Sequence, residues 1–106
     1  LPAAWSAITV RQLLAHTSGI PNHTQGDGLD KIRHQQMSPR ELYASFRDAP
    51  LEFAPGTAWN YSNSGYVMAG LLIEQVSGKR YAEFVQAQLL QPLGMSHSGV
   101  AHSDVI

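Results

Sequence analysis

A phenol, a hydroxyl and a carboxamide stand side by side at Tyr61-Ser62-Asn63. A Pro-Gly pair (Pro55-Gly56) leads in, and the apolar run over residues 66–76 leads out. Polar side chains at the mouth of an apolar helix are costly unless they are paired or used. In an extended segment, residues two apart point the same way. Tyr61 and Asn63 are therefore expected to face one cleft and Ser62 to face away. A phenol there carries a transferable proton, and a carboxamide both donates and accepts hydrogen bonds. The same residues also fit a purely structural purpose, with Asn63 or Ser64 capping the helix and Tyr61 packing as an ordinary aromatic. Periodicity alone favours the structural reading.

The elements that must position this stretch are helical. Residues 1–8 read as an irregular lead-in. Thr9 followed three residues later by Gln12 has the reciprocal capping pattern, and Val10, Leu13 and Leu14 fall on one face of the short helix that follows. Thr17-Ser18-Gly19-Ile20-Pro21 stops it, and residues 22–30, rich in Gly, Asp, Asn and His, read as a surface loop. Ser38-Pro39-Arg40-Glu41 is a clear helix start, with a capping hydroxyl and Pro where its missing N–H costs nothing. That helix should end before Pro50. Pro55-Gly56 suits a type II turn, in which Gly supplies the positive φ.

Residues 66–76 lack a polar face except for Glu74 and Gln75, which predicts a buried helix. Ser77-Gly78 closes it. Tyr81, Phe84, Val85 and Leu89 form a helical stripe read as core, and Pro92 ends that helix. The expected fold is mainly α, four helices in one domain with no period-2 strand.

Composition narrows the function classes. A net charge of −1 without a basic block gives no footprint for nucleic acid or an anionic membrane. The apolar run is too short to span a bilayer. Without cysteine there is neither a disulfide nor thiol chemistry. The five histidines, His16, His23, His34, His97 and His102, show no metal-ligand spacing, so neither metal nor cofactor is expected. The charged fraction of 14% is well below the quarter usual for a free-standing domain, which suggests that part of this surface packs against something else.

Several stretches carry a family resemblance together. Ile8 to Pro21, with Leu-Leu-Ala-His-Thr-Ser-Gly at its centre, resembles a signature of the serine β-lactamase and penicillin-binding-protein-like hydrolases, the class C-related group. Phe53-Ala54-Pro55-Gly56 followed by Tyr61-Ser62-Asn63-Ser64-Gly65-Tyr66 is similar to that family's second motif and its approach. Gly70-Leu71-Leu72-Ile73-Glu74, Val76-Ser77-Gly78 and Gln91-Pro92-Leu93-Gly94-Met95 continue the pattern in order. The resemblance covers residues 7 to 100. It implies a helical part of a fold in which helices pack on an antiparallel sheet.

For function, the resemblance implies acyl transfer to a serine activated by a Ser-x-x-Lys pair, with β-lactam, amide or ester substrates. It makes Tyr61 a catalytic phenol that moves the serine's proton, and Asn63 a substrate-binding amide. A free tyrosine titrates near pH 10, so such a phenol needs cations nearby to act as a base. His16, inside the first signature, is read as organising its turn through hydrogen bonds. Ser18 lies in Thr-Ser-Gly and not in a nucleophile elbow.

The sequence also departs from the pattern. The only lysines are Lys31 and Lys79, preceded three residues earlier by Gly28 and Val76, so there is no Ser-x-x-Lys pair. His97-Ser98-Gly99 matches the letters of the family's strand motif but follows Leu93-Gly94-Met95 too closely. The chain lacks an initiating Met. The expectation is a piece of a longer protein, inactive alone, with the nucleophile upstream of Leu1 and an uncovered apolar helix that drives self-association. The alternative is a non-catalytic binding or interaction module on the same scaffold. Export to the periplasm or cell surface is suggested only by the family.

Overall fold

A computed structural model describes residues 1–25 and 37–101. Among these the elements are a 3-10 turn Ala3–Trp5, then α1 (Val10–Leu14), α2 (Pro39–Phe46), α3 (Asn63–Ser77) and α4 (Tyr81–Val85), which runs on into a π-helical turn Gln86–Leu90. No strand occurs among the described residues. The rest of the loop expected through Asp30, with Lys31, His34 and His102, lies outside them. The chain divides inside α3 into two compact units, Leu1–Ala69 and Gly70–Ile106.

The helix starts follow their sequence signals. Thr9 Oγ1 accepts the Gln12 N–H at 3.2 Å, and the Gln12 side chain accepts the Thr9 N–H at 3.0 Å, which closes a reciprocal box. Ser38 Oγ accepts the Glu41 N–H at 3.2 Å, with Pro39 opening α2. The Pro55-Gly56 turn closes through the Thr57 N–H to the Ala54 carbonyl at 3.1 Å, with Gly56 at φ +84°.

In the first unit, Trp5, Leu13, Ile20, Phe46 and Met68 are buried. The lead-in expected to be irregular therefore supplies a core residue: Trp5 stacks on Phe46 at 6.2 Å between centroids and meets Tyr43 edge-on at 5.9 Å. Of the α1 face, only Leu13 is buried, while Val10 and Leu14 are exposed. A five-residue helix offers one side chain to a core this small.

Three main-chain bonds fasten residues 16–19 along residues 52–60. The N–H groups of Glu52, Gly56 and Asn60 donate to the carbonyls of Gly19, Thr17 and His16 at 2.8, 2.8 and 2.9 Å. Gly19 sits at φ +87°, and a Cβ there would run into the Phe53 carbonyl, so no larger residue fits.

In the second unit, α3 ends at Gly78 (φ +71°), whose N–H donates to the Glu74 carbonyl. Glu74 Oε2 accepts the Tyr81 N–H at 2.8 Å, giving α4 the cap that Arg80 does not supply. Gln91 N–H reaches back five residues to the Gln86 carbonyl at 3.0 Å, the widened winding of a π turn.

Two expectations are corrected in this unit. The run over residues 66–76 does not make a fully buried helix: Leu72 is exposed and Val76 is 80% exposed. Likewise the stripe read as core is only partly covered: Tyr81 and Leu89 are exposed, while Phe84 and Val85 are half-buried. A helix apolar all round needs cover on every side, and no described residue of Gly70–Ile106 is buried. The π turn also carries Leu89 out of register with Tyr81 and Phe84, because its winding exceeds 3.6 residues per turn.

Candidate functional site

Ser62 takes a position that the sequence assigned to its neighbours. It is 2% exposed, and its Oγ accepts the Gly65 N–H at 3.2 Å, three residues on. That is the geometry of an N-cap. The cap of α3 is therefore Ser62, and the expectation of Asn63 or Ser64 in that place is corrected. The reason lies in packing. Gly65 brings the first turn against α1 so closely that a Cβ would sit 3.2 Å from the Leu13 carbonyl, which starts the helix one turn earlier than the apolar run suggests.

With Ser62 turned inward, Tyr61 and Asn63 share the other side. The Tyr61 phenol donates to Asn63 Oδ1 at 3.0 Å, and Tyr61 is 51% exposed. Asn63 Nδ2 donates to Thr24 Oγ1 at 3.1 Å. The two bonds fix which way the carboxamide points, with the carbonyl toward the phenol and the amino group toward Thr24.

Asn22, His23 and Thr24, read from sequence as the start of a surface loop, are folded onto the head of α3. Asn22 Oδ1 accepts the Asn63 main-chain N–H at 3.2 Å and the Thr24 hydroxyl at 3.0 Å. The Asn-x-Thr spacing signals a local side-chain turn. Its partner, however, lies about forty residues away, where no local pattern points. His23 packs its ring on Phe46 at 5.4 Å. Ser64 Oγ accepts the main-chain His23 N–H at 2.8 Å, and its hydroxyl lies 2.8 Å from Nδ1, to which it donates when the ring proton sits on Nε2. Burial lowers the His23 pKa, which favours that neutral form. Ser64 is 0% exposed, so this serine–histidine contact is a structural tie with no path for a substrate.

His16 stands on the other side of Tyr61. Its Nδ1 accepts the Ser62 N–H at 3.0 Å, and its ring lies 4.6 Å from that of Tyr61 and 5.3 Å from that of Tyr66. The Tyr66 hydroxyl donates to the Leu14 carbonyl at 2.8 Å. Ser18 is buried, with its Oγ accepting the Ile20 N–H at 3.2 Å. His97-Ser98-Gly99 belongs to the other unit. Among the described residues, no three His, Asp or Glu side chains gather as a metal ion would require, and no helix is long and apolar enough to cross a membrane.

Comparison with known proteins places the chain in a family. The beta-lactamase family model matches residues 1–105. The chain is 36% identical over 95 residues to the lovastatin esterase of Penicillium rubens, covering 86% of this chain and 24% of that protein. Among solved structures, a penicillin-binding protein from Bacillus halodurans superposes with a TM-score of 0.86 at 33% identity, over 100% of this chain and 33% of that one. A D-stereospecific amidohydrolase from Streptomyces gives a TM-score of 0.73 at 36% identity, over 88% of this chain and 32% of that one. The chain spans about a fifth to a quarter of the length of the curated relatives it matches. Matched by the family model along nearly its whole length, and built as a helical part of the same fold, the chain belongs to the serine β-lactamase and penicillin-binding-protein-like family.

Proposed function

We propose that this chain supplies one wall of an acyl-transfer site, with Tyr61 as the proton-carrying phenol and Asn63 as the amide that holds the substrate. The observation that carries the reading is the Tyr61 hydroxyl donating to Asn63 Oδ1 on the exposed side, while Ser62 between them is capped inward. In the proposed reaction a serine from a Ser-x-x-Lys pair outside these 106 residues attacks the substrate carbonyl. Its proton passes to the Tyr61 oxygen, which acts as a phenolate beside the lysine of that pair, and the phenol so formed gives that same proton to the leaving amine or alkoxide. Water then releases the acyl group from the serine. The Asn63 N–H not used by Thr24 is the donor offered to the substrate.

The names of two relatives, an esterase and an amidohydrolase, support an ester or amide substrate. Amide, β-lactam and ester carbonyls all pass through the same tetrahedral addition. The site residues include no metal-binding set, and the mechanism uses no cofactor.

The test is made on the longer protein containing this segment, with p-nitrophenyl acetate, a chromogenic cephalosporin and a D-amino-acid amide as substrates. Tyr61→Phe keeps the ring and removes the transferable proton, and is expected to lower kcat/KM for the substrate turned over by about 10²- to 10⁴-fold. Unchanged turnover would remove Tyr61 from the mechanism. Tight binding without turnover, in a protein whose Ser-x-x-Lys serine is replaced, would favour a binding module instead. The 106-residue chain alone is expected to hydrolyse none of these substrates.

A further inference from the structure

Three consecutive residues around the phenol are all held by one side chain and its own backbone. Asn60 N–H donates to the His16 carbonyl at 2.9 Å, Ser62 N–H donates to His16 Nδ1 at 3.0 Å, and the Tyr61 ring between them lies 4.6 Å from the imidazole at 30°. His16 does this from φ +61°, in the left-handed region where a non-glycine residue is uncommon and where Asn, Asp and His are enriched. Residues held in such conformations persist only when their surroundings over-determine them.

We propose that His16 is a positioning residue for Tyr61, acting as a neutral imidazole whose accepting Nδ1 and ring face set where the phenol stands relative to Asn63. The tautomer follows from the partners. A main-chain N–H can only donate, so Nδ1 accepts and the ring proton sits on Nε2. With its basic lone pair occupied, His16 orients the phenol and does not take its proton. The residue type follows too. Glycine would satisfy the backbone alone; asparagine would satisfy the backbone and the acceptor. Phenylalanine would supply a ring but no acceptor, at a strained φ. Histidine supplies all three.

The inference rests on the reading of Tyr61 as the catalytic phenol, and the experiment separates the two. In the longer protein, the single-turnover acylation rate constant is measured with p-nitrophenyl acetate, a quantity independent of the fraction of molecules folded. His16→Ala is expected to lower it on the order of 10- to 100-fold, the scale of a misplaced catalytic group. His16→Asn, which keeps the acceptor and tolerates the φ, is expected to recover the larger part. Nitrogen-15 spectra of labelled histidine should show Nδ1 unprotonated and Nε2 protonated, with the Ser62 amide protected from exchange. If Tyr61→Phe slows acylation but His16→Ala does not, the positioning role falls and the reading of Tyr61 stands. If Tyr61→Phe has no effect, the catalytic reading falls, and with it a positioning role in catalysis. A protonated Nδ1, or equal losses in the Ala and Asn variants, overturns the proposal.

Discussion

The carboxamide of Asn63 has little freedom left. Its oxygen accepts from Tyr61 and one amino hydrogen goes to Thr24, while Asn22 takes its main-chain N–H. Thr24→Val keeps the shape of the side chain but removes the oxygen that reads the amino group. The expected result is a stability loss of about 2 kcal/mol, the net value of the two neutral hydrogen bonds that this hydroxyl makes with Asn63 and Asn22. Within the proposed function, KM for an amide substrate should rise more than kcat falls, because the amide is then free to turn over; denaturant titration and steady-state kinetics check the two parts. His23 gives a second prediction. Burial holds its pKa below the ordinary 6.5, so as pH falls below that value the unfolded chain takes up the proton first. Stability is therefore full above about pH 6.5 and declines as the pH falls through the lowered folded value. Urea melts of the protein and of His23→Gln across that range should show the slope in the former and its loss in the latter.

At the scale of elements, the head of α3 is where the local and the tertiary requirements meet. Ser62 caps it from inside, Gly65 lets it rest on the backbone of α1, and the segment preceding it is bonded to residues 16–19. Helix start and site geometry are thus one feature, since moving the cap by a single residue would exchange the sides of Tyr61 and Ser62. Ser62→Ala removes the cap and leaves a first-turn N–H without its partner. It is expected to destabilise by roughly 1 to 2 kcal/mol, the upper part of the range for lost caps because the site is buried. Ser62→Thr or Ser62→Asp, tested beside it by thermal melting, should lose less if capping is the cause, and an equal loss would point to packing instead. The helix starts at Thr9 and Ser38 were legible in advance because capping is written within four residues. Ser62 was not, because the apolar run that marks α3 begins only at Tyr66.

At the scale of the molecule, the contrast among the described residues is between a unit with buried side chains and a unit without them. Among the described residues, the buried apolar side chains, Trp5, Leu13, Ile20, Phe46 and Met68, fall within Leu1–Ala69. Within Gly70–Ile106, Leu72, Val76, Leu89 and Leu93 are exposed. Apolar surface left open in this way promotes association, and self-association of the 106-residue chain is the expected outcome. Val76→Lys places a charge on the most exposed of the large apolar side chains of α3. It should leave stability within about 0.5 kcal/mol, as surface changes do, while shifting sedimentation velocity profiles toward monomer. A chain already monomeric at high concentration would remove the premise.

The sequence by itself determined the mainly helical class, two helix starts and a turn that rest on local chemistry, and the family. Thr9 with Gln12, Ser38 with Pro39, and Pro55-Gly56 each act within four residues, and the ordered motifs are a property of the letters alone. It also supported Tyr61 and Asn63 pointing one way, since that needs only an extended backbone. Tertiary structure decided the rest. It drew Trp5 from the lead-in into the core, brought Asn22, His23 and Thr24 onto a helix some forty residues further on, and made His16 the residue that grips both neighbours of Tyr61. It also left the apolar turns of α3 and α4 uncovered. The physical reason is range: caps and turns are settled by neighbours in sequence, whereas burial and long-range hydrogen bonds depend on which distant surface arrives to complete them.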